Sequence, residues 1–143
     1  MRLFRRIALV VAIGSTIGCH DASGPTGTPS GYRLVGINGR SLPTLFSPIP
    51  EAPTITYGTL WLDGVSHAVI TEHRKELTGQ EISYTTDLTY TITGDVIQFE
   101  YNCPPNALCA RPPRGVFVNY HLLLDMSGGN NEVVYDYMLV MPD

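Results

Sequence analysis

The residues able to do chemistry are few in kind and widely spaced. There are four histidines (His20, His67, His73, His121), three cysteines (Cys19, Cys103, Cys109) and thirteen carboxylates. His67 and His73 share strand parity, but six residues of extended chain place them about 20 Å apart, too far to share a metal ion. Each reads as an exposed or hydrogen-bonded side chain. Cys103 and Cys109 enclose Pro-Pro-Asn-Ala-Leu. In an oxidising compartment this even pair predicts a disulfide that closes a small ring and pins a Pro-rich loop. A metal site or redox pair would call for C-x2-C spacing, and no histidine lies inside the loop. Glu72 and Glu76 flank Arg74 and Lys75 and read as a solvated strand end. Asp125 and Asp136 are expected to face one another across a hairpin, within reach of arginine. No G-x-S-x-G, H-E-x-x-H, phosphate loop or G-x-G-x-x-G occurs. The expectation is therefore no catalytic residue, no metal and no cofactor, and a chain that is not an enzyme.

The aromatic residues carry more information. All eight tyrosines fall in stretches that read as strand. Tyrosine combines an apolar body with a polar tip that seeks a partner. Tyr57, Trp61, Tyr84, Tyr90, Phe99, Tyr101, Tyr120, Tyr135 and Tyr137 are the candidates to line an internal ligand cavity. The plainer alternative is that they fill a core, since tyrosine favours strands in any case. An eight-stranded barrel can be packed solid or hold one small ligand, and both readings stay open at this stage.

The elements that must position these residues are strands. The clearest is Ile82, Tyr84, Thr86, Leu88, Tyr90 and Ile92, alternating with Ser83, Thr85, Asp87, Thr89, Thr91 and Thr93: one apolar and one polar face. Gly94-Asp95 turns it into Val96–Tyr101. Further strands are expected at Gly31–Ile37, which ends at the Asn38-Gly39 hairpin signal, at Ile55–Leu62 and Val65–Arg74 around Asp63-Gly64, at Val116–Met126 and at Glu132–Met141. These make seven, with a short eighth near Arg40–Leu42. The prolines of Pro43–Pro53 exclude a strand there, and Cys103–Arg114 is a second Pro-rich loop. Long antiparallel strands in a small domain favour an all-β meander closed into a barrel of seven or eight strands, because closure removes unpaired edges. A β-sandwich is the alternative.

The 143 residues divide unevenly. Arg2, Arg5 and Arg6 precede the apolar run Ile7–Ile17, the pattern of a secretory signal peptide over residues 1–18 and too short to span a bilayer. Ser15-Thr16-Ile17-Gly18-Cys19 resembles a bacterial lipobox, which implies a lipidated Cys19 as the mature first residue. Residues 19–30 then form a Gly/Pro/Ser/Thr-rich tether, and 31–143 the β domain. Removing residues 1–18 takes three arginines and no carboxylate, so net charge moves from −4 to −7. Charge of that sign excludes a basic footprint for nucleic acid.

The stretch Tyr32-Arg-Leu-Val-Gly-Ile-Asn-Gly-Arg-Ser-Leu-Pro43, with the Thr93–Asp95 hairpin and the lipobox-tether layout, resembles small lipocalin-like (calycin-type) bacterial lipoproteins of unknown function. It departs from true lipocalins in lacking Gly-x-Trp at Gly31-Tyr32-Arg33 and Arg-x-Tyr at Tyr135-Asp136-Tyr137. The resemblance implies an exported protein anchored in the cell envelope through Cys19. Because His20, not Asp, follows the cysteine, it implies the outer membrane, facing the periplasm. The expected function is binding of a small apolar or amphipathic ligand. The alternative is an interaction, scaffold or inhibitor-like module that uses the Pro-rich loops and has no cavity; no protein partner is legible. A ligand carrier is expected to hold a cavity of roughly 300 Å³ or more lined by the tyrosines.

Overall fold

A computed structural model describes residues 27–46, 51–105, 107–127 and 132–140. The expected signal peptide, Cys19 and most of the tether lie outside the described residues. Ten strands follow in chain order: β1 (Ser30–Ile37), β2 (Arg40–Ser41), β3 (Thr44–Leu45), β4 (Thr54–Leu62), β5 (His67–Lys75), β6 (Glu81–Thr93), β7 (Val96–Tyr101), β8 (Arg114–Val118), β9 (His121–Asp125) and β10 (Val134–Val140). Eight of them, β1 and β4 to β10, make an antiparallel up-and-down meander. β1 pairs with β10 on one side and β4 on the other, which closes the barrel.

Alternation along each strand decides what points inward. Tyr32 and Leu34 on β1, Leu60 and Leu62 on β4, Ala68 and Ile70 on β5, Leu88 and Tyr90 on β6, and Ile97 and Phe99 on β7 are buried. Phe117, Leu122, Leu124, Tyr135 and Tyr137 complete the interior from β8, β9 and β10. Every second residue goes outward, as period-two geometry requires.

The eighth barrel strand does not come from Arg40–Leu42. The expected strand Val116–Met126 is instead two strands, β8 and β9, joined by a turn in which Asn119 takes a φ of 55°. Asparagine tolerates this left-handed conformation, so a tight turn forms without glycine. Arg40–Ser41 is a strand, but it pairs only with β1. The exclusion of strand from Pro43–Pro53 is also corrected, because Thr44–Leu45 pairs with Thr54–Ile55. Both residues lie between prolines and keep their N–H groups.

Closure is uneven along the barrel axis. β1 pairs with β4 only over Ser30–Arg33, and a bulge between Leu34 and Gly36 then redirects it. Beyond the bulge β1 pairs with β2, while the start of β4 pairs with β3. Strands β1 and β4 therefore part toward one end. We call this end the mouth. It carries the β1–β4 connection, the β5–β6 turn and the Cys103–Arg114 loop. The opposite end carries the Asp63–Ser66, Gly94-Asp95 and Asn119-Tyr120 turns, and the chain enters there, with Gly27 N–H donating to the Gly64 carbonyl at 3.0 Å.

The interior is packed tightly enough to exclude side chains at particular points. A Cβ on Gly115 would lie 2.7 Å from Leu122 Cδ1 and 3.0 Å from Ile97 Cγ2. Gly115→Val is expected to cost about 2–3 kcal/mol by overpacking, read as a lower urea midpoint at unchanged slope.

Candidate functional site at the barrel mouth

The inward face of β5 runs Ala68, Ile70, Glu72, Arg74. Continuing the apolar parity toward the mouth thus carries a carboxylate and a guanidinium inside. Glu72 is only 4% exposed. Its Oε2 accepts from Arg74 Nη2 at 2.5 Å and from Nε at 3.0 Å. Its Oε1 is buried as well. The expectation of a solvated strand end is corrected for Glu72 and Arg74: closure of the barrel, not charge, decides which face is enclosed.

Aromatic rings hold the pair in place. The Arg74 guanidinium lies 4.8 Å from the Phe46 ring centroid and 4.6 Å from that of Tyr84. Such cation–π contacts orient an arginine that already serves a carboxylate. Phe46 follows β3 in the Pro-rich connection, and its ring meets Tyr135 edge-on at 6.4 Å. The Tyr84 hydroxyl donates to Glu76 Oε1 at 3.4 Å. Around Glu72 a cavity of about 200 Å³ remains, lined by Phe46, Arg74, Thr86, Tyr101, Pro113 and Met126 among others. It is smaller than the expected 300 Å³, and Tyr101 is the member of the tyrosine set that lines it. Tyr135 and Tyr137 are fully buried, and the Glu72 carboxylate acts on both of their hydroxyls.

The candidate cavity residues separate into three groups. Tyr90, Phe99, Tyr135 and Tyr137 are inside and largely fill the barrel. Tyr101 is partly buried, and Tyr84 has the inward parity of β6 but sits at the rim, 41% exposed. The placement of Tyr57, Trp61 and Tyr120 in a cavity is corrected. Tyr57 and Trp61 stand on the outer face of β4, 44% and 43% exposed, and Tyr120 lies in the β8–β9 turn, 62% exposed. Tyr57 packs across strands on His73 and Trp61 on His67, with ring centroids 5.5 Å and 6.3 Å apart. His67 Nε2 also lies 3.3 Å from Asp87 Oδ1, so both histidines of β5 belong to the outer surface.

The remaining sequence candidates are structural. Cys103 and Cys109 are disulfide-bonded, with Cα atoms 6.4 Å apart, and pin the loop whose Pro113 borders the cavity. Asp125 and Asp136 do not face each other. Asp125 stands opposite Arg114 and Val134 in register and accepts the Ser127 N–H at 2.9 Å. Asp136 pairs with His121 Nδ1 at 2.6 Å on the outer face. Among the described residues no group of three or more His, Cys, Asp or Glu side chains is placed to hold a metal ion. Two other hollows, of about 380 Å³ beside Arg111–Arg114 and about 230 Å³ around Phe117 and Tyr120, are open to the outside and have no unpartnered buried polar atom aimed into them.

No protein-family model matches the chain, and neither a curated protein nor a solved structure does. What stands is the architecture: a closed eight-stranded antiparallel barrel, compatible with a lipocalin-like fold.

Burial sets the ionisation of the inward phenols. Desolvation, with the neighbouring Tyr90, pushes Tyr32 from 10.0 up to about 12. Desolvation and then the Glu72 carboxylate push Tyr101, Tyr135 and Tyr137 upward as well. The unfolded chain releases these protons from about pH 10 while the fold retains them, so stability falls as pH rises from about 10 to 12 and beyond. Urea midpoints that drop across that range will show it. Removing Arg74 alone leaves a buried, uncompensated carboxylate. Arg74→Met is expected to cost about 3 kcal/mol or more, and the double variant Glu72→Met/Arg74→Met to recover most of that loss. Paired chemical denaturation of the single and double variants measures the difference.

Proposed function

We propose that the chain is a lipid-anchored cell-envelope protein whose lipocalin-like barrel binds a small amphipathic ligand at its mouth. The observation that carries the binding reading is the mouth itself. A deeply buried carboxylate lies on a cavity of about 200 Å³ whose wall mixes aromatic and apolar side chains with Arg74 and Thr86. The size of the cavity selects a ligand smaller than a long acyl chain.

The anchoring reading rests on residues 1–30: the signal-peptide pattern, the lipobox-like step at Cys19 and the tether. The geometry is consistent with it. The first described residues dock at the end of the barrel opposite the mouth, so the seven residues between Cys19 and Gly27, reaching roughly 23–25 Å at most, would hold the mouth facing away from the membrane. An outer-membrane site facing the periplasm follows from the same lipobox resemblance.

A second reading, an interaction module acting through its Pro-rich loops, has one observation in its favour. Leu108, in the disulfide-pinned loop, is fully exposed.

Native mass spectrometry of the protein purified from its own envelope tests both. A co-purifying small molecule that is lost in Met126→Trp, which fills the cavity, is expected for ligand binding. A protein partner lost in Leu108→Ser, with no small molecule, would favour the second reading. Separately, Cys19→Ala is expected to move the protein from the membrane to the soluble fraction. Retention of that variant in the membrane would refute the anchor.

A further inference from the structure

The end of the barrel opposite the mouth is not uniformly polar. Turn tips in water favour small polar residues. Two tips at this end carry large apolar side chains instead: Val65 is 81% exposed, and the Tyr120 ring is exposed as well. Val140 and Trp61, half-exposed on the outer faces of β10 and β4, both stand opposite Gly31 in register. They form one cross-strand row about 10 Å across, one strand spacing on either side of Gly31. A Cβ on Gly31 would meet nothing within 4 Å, so the row is open above the glycine.

The arrangement is one-sided. Tyr120 lies beside the end of β10, since its carbonyl accepts the Leu139 N–H at 2.9 Å. Round the rim the order is Tyr120, Val140, the chain entry at residues 27–31, then Trp61 and Val65. The Gly94-Asp95 turn lies on the far side, between β6 and β7. Single exposed apolar residues need no explanation, and Leu77 and Leu108 at the mouth are of that kind. Four gathered about the point where the chain enters make a patch.

Chain length identifies what covers it. Given the lipid anchor at Cys19 proposed above, seven residues, about 23–25 Å when fully extended, separate the acylated residue from Gly27. The rim is thus held close to a bilayer surface, where a contact too weak to recruit the barrel from solution becomes favourable. The side chains suit that surface. Tyrosine and tryptophan settle where acyl chains meet headgroups, and aliphatic side chains enter the acyl region. Arg33, exposed and the next outward residue of β1 after Gly31, stands about 7 Å further from the rim. A guanidinium on an apolar stem suits a headgroup phosphate at that level. The carboxylate of the Val65 turn is directed back into the turn: Asp63 Oδ1 accepts the Val65, Ser66 and His67 N–H groups at 2.7, 2.8 and 2.9 Å.

We infer that this rim seats on the bilayer, with Trp61, Val65, Tyr120 and Val140 at the top of the acyl region and the mouth turned away from it. Trp61 is the single tryptophan of the chain, so its fluorescence reports the rim directly. The protein is purified from its envelope in detergent and reconstituted into phosphatidylcholine vesicles, with or without bromine on the upper part of one acyl chain. Flotation reports the anchor, and quenching by the bromolipid reports the rim. The protein is expected to float, and the bromolipid to remove about a third or more of the Trp61 emission, as for a side chain about 5–10 Å into the interface. Val65→Asp and Tyr120→Asp are each expected to cut that quenching about twofold or more without loss of flotation, and Leu77→Asp, at the mouth, to leave it unchanged. Should either rim variant not fold, the wild-type quenching decides the matter. Flotation without quenching overturns the seating and leaves the anchor intact. Shielding of Trp61 from aqueous iodide without bromolipid quenching also overturns it, a second copy of the chain then covering the rim. Failure to float refutes the anchor and the seating with it.

Discussion

The structure depends on β1 pairing on both of its edges. An open meander of this length would leave two rows of backbone N–H and C=O groups unpaired, a standing invitation to aggregation. Seating Ser30–Arg33 against Thr59–Leu62 while Gly31–Ile37 pairs with β10 removes both edges at once. The interior then becomes a single enclosed volume, and every inward side chain of eight strands must fit it. The close approaches at Gly58 and Gly115 are local consequences. A Cβ on Gly58 would meet Leu34 at 2.9 Å, beside the bulge where β1 begins to leave β4.

That departure also makes the site. If β1 and β4 stayed paired along their full length, both ends of the barrel would close alike. The bulge after Leu34 hands the second half of β1 to β2 and the start of β4 to β3, and the connection between them carries Phe46 over the mouth. The disulfide ring lies at the same end of the barrel, in the loop that brings Pro113 to the cavity. A buried Glu72–Arg74 pair is weak as a source of stability, because desolvating two charges offsets most of their attraction.

Much of this architecture is legible in the chain. The alternation of Ile82–Ile92 against its threonines, the Asn38-Gly39 and Gly94-Asp95 turns and the short Cys103–Cys109 ring are local features, and all appear where the residues place them. The turn at Asn119-Tyr120 was not legible, because apolar residues continue on both sides of it and no glycine or proline marks it. The faces of β4 and β5 were ambiguous for a different reason. Tyr57 and Trp61 share the parity of Ile55 and oppose Leu60 and Leu62, with Ile55 turned inward only by the register shift before Tyr57, and Val69 opposes Ala68 and Ile70, so each strand offers two apolar faces.

The sequence by itself thus determined most of the strands and hairpins, the disulfide and an antiparallel all-β meander, since turn chemistry and period-two alternation act over a few residues. Only the tertiary structure decided which face of each strand is enclosed, that Tyr57 and Trp61 look outward, and that Glu72 and Arg74 lie inside. The physical reason is that alternation separates two faces without ranking them. Enclosure is a property of the closed sheet, and it is set where β1, near the start of the domain, meets β4 and β10, up to about a hundred residues further along the chain.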